Sequence, residues 1–341
     1  QADGRPSDQA AYFQCANRNK RSITVDMATA EGQALLRELA QKADVVLENF
    51  KVGGLQAYGL DANALRALNP RLIYCSITGF GQTGPYSARA GYDFLIQGMG
   101  GLMSLTGRPE GEDGAGPQKV GVALVDVMTG LYASIAILAA LNHRHATGEG
   151  RTIDLALLDV QVAMLANQAS NFLVGGHTPK RMGNAHLTVV PYQVFATRGG
   201  HIVLAVGNDG QFARFCALAG HPETAQDPRF VTNSDRLANR DALIGILGPW
   251  MLERSTDEWT ALLEPNAVPC APILELPGVF KHPQVVARGM QVSTAAGLPM
   301  VGTPMCFDGQ RPVADQPPPQ LDEHGEALRA ALARGVGWPA R

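Results

Sequence analysis

The chain has 341 residues, 45% of them hydrophobic and 17% charged, with a formal net charge of −3. That is enough apolar sequence for a large core and a length expected of about two domains, while the slight negative charge offers no general attraction to nucleic acid or to an anionic membrane surface. Five widely spaced cysteines, Cys15, Cys75, Cys216, Cys270 and Cys306, form no Cys-x-x-Cys pair, which argues against a disulfide framework or a structural zinc site and suits a reducing, cytoplasmic setting.

The opening residues are polar and irregular, and three cations, Arg18, Lys20 and Arg21, fall within four residues. Ser22 to Asp26 reads as a strand. Thr29 can cap a helix that carries Leu35, Leu36 and Leu39 on one face and ends near Lys42, and Val45 to Leu47 is a second strand. A helix over 61–68 stops at Asn69-Pro70, and Leu72 to Ile77 is a third strand, ending at the turn-rich 79–85. Strands alternating with helices predict an α/β fold with a doubly wound, mostly parallel, Rossmann-like sheet. No Gly-x-Gly-x-x-Gly follows the first strand, so a nicotinamide or flavin site has no support.

Next comes the apolar run Gly121 to Leu141, interrupted by one carboxylate, Asp126. Val122 to Val125 reads as a short buried strand and Leu131 to Leu141 as helix, which sets Asp126 at a strand-to-helix junction. Ligand chemistry in open α/β sheets gathers at that kind of place. The ordinary alternative is that Asp126 only caps the helix. Neither this run nor any other is expected to approach the roughly 18 apolar residues of a membrane span, and the basic-then-apolar pattern expected of a signal peptide is not read in the opening residues. A strand at 152–155 and a helix through about Asn171 follow. Beyond Gly175 the pattern changes to a hairpin over 191–206 with its turn at Arg198-Gly199-Gly200, then helices over 209–218, over 234–247 to a break at Gly248-Pro249, and over 256–263. A last helix over 326–333 is expected to return to the first domain. The predicted division is a large domain over 1–180, a small α+β domain over 181–300 and a returning segment over 301–341.

Five stretches carry a resemblance that spans nearly the whole chain. They are 17–23 (Asn-Arg-Asn-Lys-Arg-Ser-Ile), Glu48-Asn-Phe50 with Gly53-Gly54-Leu55, 79–85 followed by Arg89-Ala-Gly-Tyr-Asp93, Asp126, and 141–144 with Thr147-Gly148. In order and spacing they resemble the family III coenzyme A transferases, most closely the branch that acts on succinyl-CoA and dicarboxylates. The similarity continues through Arg181 to His186, Pro191-Tyr192, Asn239-Arg240 and 282–284.

The resemblance implies a CoA-transferase that moves CoA from succinyl-CoA to a short dicarboxylate such as glutarate, with itaconate, malate and mesaconate also open as acceptors. Asp126 matches the catalytic aspartate, which becomes acylated. No permanent cofactor or metal is implied, because the CoA thioester is itself a substrate. Val25, Asn49 and Phe50 match positions that hold the adenine and its linker. Arg89, Gly91, Tyr92 and Asp93 match the CoA-contacting segment that borders the nucleophile. Ala57 replaces an arginine that some relatives use for the CoA phosphates, a contact that Arg18, Lys20 or Arg21 would then supply. Gly183, Asn184 and His186 match a loop that closes over the acyl group, where His186 could donate to a distal carboxylate. The alternatives are a 2-methylacyl-CoA racemase or epimerase and a catalytically inactive CoA-binding protein. Racemases place a histidine base where Tyr92 stands, and a tyrosine, with a pKa of about 10, is a poor base at neutral pH. The family also implies an interlocked homodimer, and its members begin with a strand-loop-helix that the present sequence is expected to lack.

Overall fold

The computed structural model describes residues 10–335. It divides into two compact units, the first made of Gln1–Gly100, Gly121–Met164 and Leu276–Arg341, the second of Gly101–Val120 and Leu165–Glu275. These cuts differ from the 1–180, 181–300 and 301–341 division expected from the sequence.

Unit 1 is built on a parallel sheet of three strands in the order β1 (Val45–Glu48), β2 (Ile73–Thr78) and β3 (Thr152–Ala156). The middle strand is covered on both faces, so Ile73, Tyr74 and Cys75 are buried and so are the hydroxyl residues Ser76 and Thr78. Helix α1 (Ala30–Lys42) starts at Thr29, whose Oγ1 accepts from Gly32 N at 3.0 Å, and α2 (Ala62–Leu68) starts at Asp61, whose Oδ1 accepts from Asn63 N at 2.9 Å. Asn69 ends α2 and donates its side-chain amide to the carbonyls of Ala40 and Ala43, closing the end of α1. The first β-α-β unit is therefore β1-α2-β2.

Residues 22–26, expected to form a strand, pair with no strand among the described residues. The C-terminal segment takes their backbone groups: His324 N donates to Ser22 O at 3.0 Å, and Thr24 N donates to Asp322 Oδ1 at 2.6 Å. A β-branched segment reads as a strand whether its partner is a ladder or a set of side chains, and here tertiary contacts decide.

Helix α3 (Asp93–Met99) leads to α4 (Leu124–Thr147) and α5 (Leu157–Met164). The expected strand at 122–125 is absent: Ala123 is the N-cap of α4, Val122 is exposed, and Val125 is already helical and fully buried. These valines are apolar because they start a helix against the core, not because they extend a sheet. At 24 residues α4 is also long and apolar enough, by length and composition, to cross a membrane, which corrects the reading that no run approaches that size. Here it lies against β2, β3, α3 and α5 and ends at Gly148, in the left-handed conformation, with Gly148 N donating to Arg144 O.

Unit 2 carries an antiparallel sheet in the order β4 (Tyr192–Thr197), β5 (Gly200–Ala205), β6 (Cys270–Pro272), and the β4–β5 hairpin turns where the sequence places it. Its longer helices are α6 (Ala166–Gly175), α7 (Asp209–Ala219), α8 (Asn233–Ala238), α9 (Arg240–Leu252) and α10 (Thr256–Leu263). The helix expected over 234–247 breaks at Asn239 instead, and Pro249 lies inside α9, where the buried Leu243, Leu247, Trp250 and Met251 hold the helix together through the missing amide. The helix expected from 155 to 171 is interrupted at Ala166, which has a φ of +47°.

Candidate active site

The direction of α4 places its first turn. Near its end, Arg144 forms an ion pair with Asp44 Oδ1 at 2.9 Å and donates to Arg71 O at 3.2 Å, both just before strands β1 and β2 begin. Its first turn, about 27 Å away at 1.5 Å per residue, lies at the other ends of the strands, where Val125 packs with Ile77, Leu157 and Ile96. Asp126, the third residue of the helix and exposed on unit 1, therefore stands beyond the carboxyl ends of the parallel strands. That is the border at which such sheets collect ligands.

Asp93 supplies the cap that was the ordinary alternative for Asp126. Its Oδ1 accepts from Val125 N at 2.8 Å, and its Oδ2 accepts from Gln97 Nε2 at 2.6 Å. A carboxylate is thus held at the positive end of α4, next to a second carboxylate. Desolvation first, and the charge of Asp93 second, raise the pKa of Asp126 above the ordinary aspartate value. A carboxyl that is accessible yet incompletely hydrated is a better nucleophile than one wrapped in water or spent on a cap.

Gly91 and Gly79 bring the neighbouring segment against the sheet. A Cβ on Gly79 would lie 2.5 Å from Gly91 Cα, and one on Gly91 would lie 2.3 Å from Gly79 Cα, so the two backbones meet at a distance only glycine permits. Tyr92 follows as the exposed N-cap of α3. Arg89 stacks over Tyr86, 4.4 Å from the ring centroid, and reaches toward Phe80. The 79–85 loop is tied down by Gln82, whose side chain donates to Ser76 Oγ at 2.7 Å and whose N–H donates to Asp154 Oδ2 at 3.0 Å.

Asn49 and Phe50 follow β1. The Asn49 amide donates to Ile77 O at 2.7 Å, fixing its carbonyl oxygen at the strand ends, and Phe50 N donates to Glu48 Oε2 at 2.7 Å. The Phe50 ring is half exposed and lines an apolar hollow of about 350 Å³ with Met27, Leu47 and Leu55. Val25 lies in the extended segment held by the C-terminal residues. Of the three basic residues near the start, Arg18 donates to Val301 O at 2.7 Å, while Lys20 and Arg21 line a cavity of about 640 Å³ with Asp315, Glu323 and His324.

Gly183, Asn184 and His186 belong to unit 2. Gly183 has a φ of +59°, and Gly183 and Asn184 are exposed. His186 Nδ1 accepts from Thr188 N at 3.2 Å, and its ring lies 5.1 Å from that of Tyr192. Gly183 and Asn184 share a cavity wall with Arg108, Arg181 and Arg240, to which the sequence reading assigned no role. Nor did it single out Gln97 and Gln161, both fully buried. Their only signal is an amide at an otherwise apolar helical position. Among the described residues no group of three or more His, Cys, Asp or Glu side chains could hold a metal ion.

Comparison with known proteins bears on the same residues. The model of CoA-transferase family III matches residues 2–325. The chain is 48% identical over 336 residues to the succinate–glutarate CoA-transferase of Agrobacterium fabrum, covering 97% of the chain and 82% of that protein. Human succinyl-CoA:glutarate CoA-transferase is 41% identical over 320 residues, covering 93% and 72%. A solved CaiB/BaiF family protein from Brucella suis superposes with a TM-score of 0.86 at 52% identity, covering 95% of this chain and 84% of that one.

Proposed function

Because the chain belongs to CoA-transferase family III, and is an enzyme that uses CoA thioesters as substrates without a permanent cofactor, we propose that it moves CoA from succinyl-CoA to a short dicarboxylate such as glutarate, with Asp126 as the nucleophile. The observation that carries this reading is the placement of one accessible, partly desolvated carboxylate beyond the strand ends, with its helix capped by a different acid.

An Asp126 oxygen attacks the thioester carbonyl of the donor, the C–S bond breaks, and the electron pair leaves on the CoA thiolate, giving a mixed anhydride. The thiolate then attacks the aspartyl carbonyl. The donor acid departs as its carboxylate and an aspartyl-CoA thioester remains. The acceptor carboxylate attacks that thioester, and the returning thiolate takes the new acyl group, which restores Asp126. Each half of the exchange passes through an anhydride, so excluding water decides between transfer and hydrolysis. Arg89, Gly91, Tyr92 and Asp93, which adjoin the α4 start, and Asn49, Phe50 and Val25 are proposed to hold the CoA. Gly183, Asn184 and His186 are proposed to cover the acyl group.

The sheet is proposed to be doubly wound and the assembly to be an interlocked homodimer. Val127, Leu131, Ile135 and Leu138 form one stripe on α4, each more than half exposed, which supports burial against a second copy. Five free cysteines suit a cytoplasmic location. The test of the chemistry is to incubate the full chain with succinyl-CoA, trap with hydroxylamine or borohydride, and locate the adduct by peptide mass. An adduct on Asp126 is expected; its absence from every acid would favour an inactive CoA-binding protein. Chromatography of the CoA products over a panel of dicarboxylates identifies the acceptor.

A further inference from the structure

Helices α3, α4 and α5 of unit 1 pack on one another, and Ile96, Val125 and Leu157, one from each, form a buried apolar cluster at their junction. The adjoining positions are polar. Gln97 is next to Ile96, and Thr129 and Gln161 lie one helical turn after Val125 and Leu157; all three side chains are buried. Here α3 and α5 approach so closely that a Cβ on Gly100 would lie 2.3 Å from Gln161 Cγ. A buried amide costs stability unless its hydrogen bonds offset the loss, so a junction with only a structural task would be better served by apolar side chains.

The bond that Gln97 makes leads to the nucleophile. Its Nε2 donates to Asp93 Oδ2 at 2.6 Å, and the other oxygen of that carboxylate accepts from Val125 N at 2.8 Å. Asp93 is gripped at both oxygens, by its own helix on one side and by the first turn of α4 on the other, and Asp126 is the residue after Val125. Hydrogen bonds to a charged carboxylate are the stronger kind, so two of them fix its plane. The elements packed against α4 also carry Tyr74 and Cys75 in β2, Asp154 in β3 and Asp159 in α5, but the charge that acts on Asp126 is that of Asp93.

We propose that Gln97 is a positioning residue for the transfer reaction: its amide locks the Asp93 carboxylate across the start of α4, which fixes where Asp126 stands and keeps a second carboxylate turned toward it. The proposal rests on the reading of Asp126 as the nucleophile. Gln97 is fully buried and acts through Asp93 without touching substrate. Without its donor, Asp93 Oδ2 is left unpaired in a half-buried place, and the carboxylate turns out to water and off Val125 N.

The test follows formation of the trapped Asp126 adduct in the full chain against succinyl-CoA concentration and pH, which needs no acceptor acid. Gln97→Met keeps the volume and removes the donor. It is expected to lower the maximal rate by about tenfold or more while the half-saturating succinyl-CoA concentration stays within about threefold of the wild type. The acid limb of the rate is expected to move to lower pH, because Asp126 ionises more easily once the Asp93 charge has turned away; with Asp93→Asn already in place, Gln97→Met should move it no further. Gln161→Met alters the same junction, but the Gln161 amide has no hydrogen-bond partner, so rate and limb should stay as in the wild type. Should Gln97→Met fail to fold, Gln97→Asn, whose amide is one methylene too short to hold Asp93, carries the same expectations. A wild-type rate and limb in the folded Gln97 variant, an equal shift from Gln161→Met, or shifts that add in the double variant would each overturn the proposal. The two readings fail separately. Absence of any Asp126 adduct in the wild type removes the nucleophile and this role with it, whereas an Asp126 adduct formed at the wild-type rate in the Gln97 variant removes this role alone.

Discussion

Asp126 differs from an ordinary first-turn acid in what surrounds it, and that difference sets measurable consequences. Asp126→Asn is expected to leave the fold intact, changing stability by less than about 1 kcal/mol because only a helix-terminus charge is exchanged, while transfer falls by roughly three orders of magnitude or more, since an amide cannot form the anhydride. Circular dichroism together with CoA-product chromatography separates the two effects. The raised pKa also fixes a pH dependence. In the folded state Asp126 keeps its proton at pH values where the unfolded chain has lost it, so its contribution to stability falls as pH rises from the ordinary aspartate value of about 3.9 through the raised one. Urea melts across that window should show Asp126→Asn gaining on the wild type with rising pH and levelling off above it. In the same window the acid limb of kcat/KM should move to lower pH in Asp93→Asn, which keeps an acceptor for Val125 N but removes the neighbouring charge. A lone acid in an apolar run made Asp126 visible in the sequence. The cap did not show itself, because Asp93 and Val125 are 32 residues apart and meet only in the folded chain; Arg108, Arg181 and Arg240 were hidden for the same reason.

At the level of elements, local signals and long-range contacts divide what could be read. Thr29, Asp61 and the Arg198-Gly199-Gly200 turn act through neighbours a few residues away, so α1, α2 and the β4–β5 hairpin fall where the sequence puts them. The apolar 22–26 and 122–125 segments look like strands because burial and pairing demand the same side chains, and only the partner tells them apart. The close approach of Gly79 and Gly91 gives an element-level test. Gly79→Ala forces a methyl to within 2.5 Å of backbone that cannot rotate away, so a loss of about 1–3 kcal/mol is expected, read as a lowered urea midpoint, together with weaker CoA binding. Arg144→Ala removes the tie between the end of α4 and both strand starts; it is expected to destabilise by about 1–3 kcal/mol with little change in KM, because the contact lies at the far end of the helix from Asp126.

For the whole molecule, the α/β class and the parallel sheet follow from the alternation of elements, but the partition into units does not, since residues 101–120 join 165–275 across more than forty residues of unit 1. No composition break marks that exchange. The exposed apolar stripe on α4 carries the assembly prediction: sedimentation at nanomolar concentration should show a dimer that does not dissociate, and a folded monomer there would remove the interlocked arrangement. Leu131→Glu and Ile135→Glu, both on the stripe, should yield aggregated or unfolded protein and no soluble monomer.

The bond between Ser22 and His324 spans 302 residues, and it sets an order of events during synthesis. Residues 22–24 cannot be secured until residues 322–324 emerge about 300 residues later, a wait of about 15–60 s at roughly 5–20 residues per second. Unit 2 contains nothing beyond Glu275 and can close while unit 1 is still incomplete. The newborn protein therefore passes through a stage in which unit 2 can be finished while the backbone groups of residues 22–24 still lack their partners, and it is then that a chaperone has most to hold.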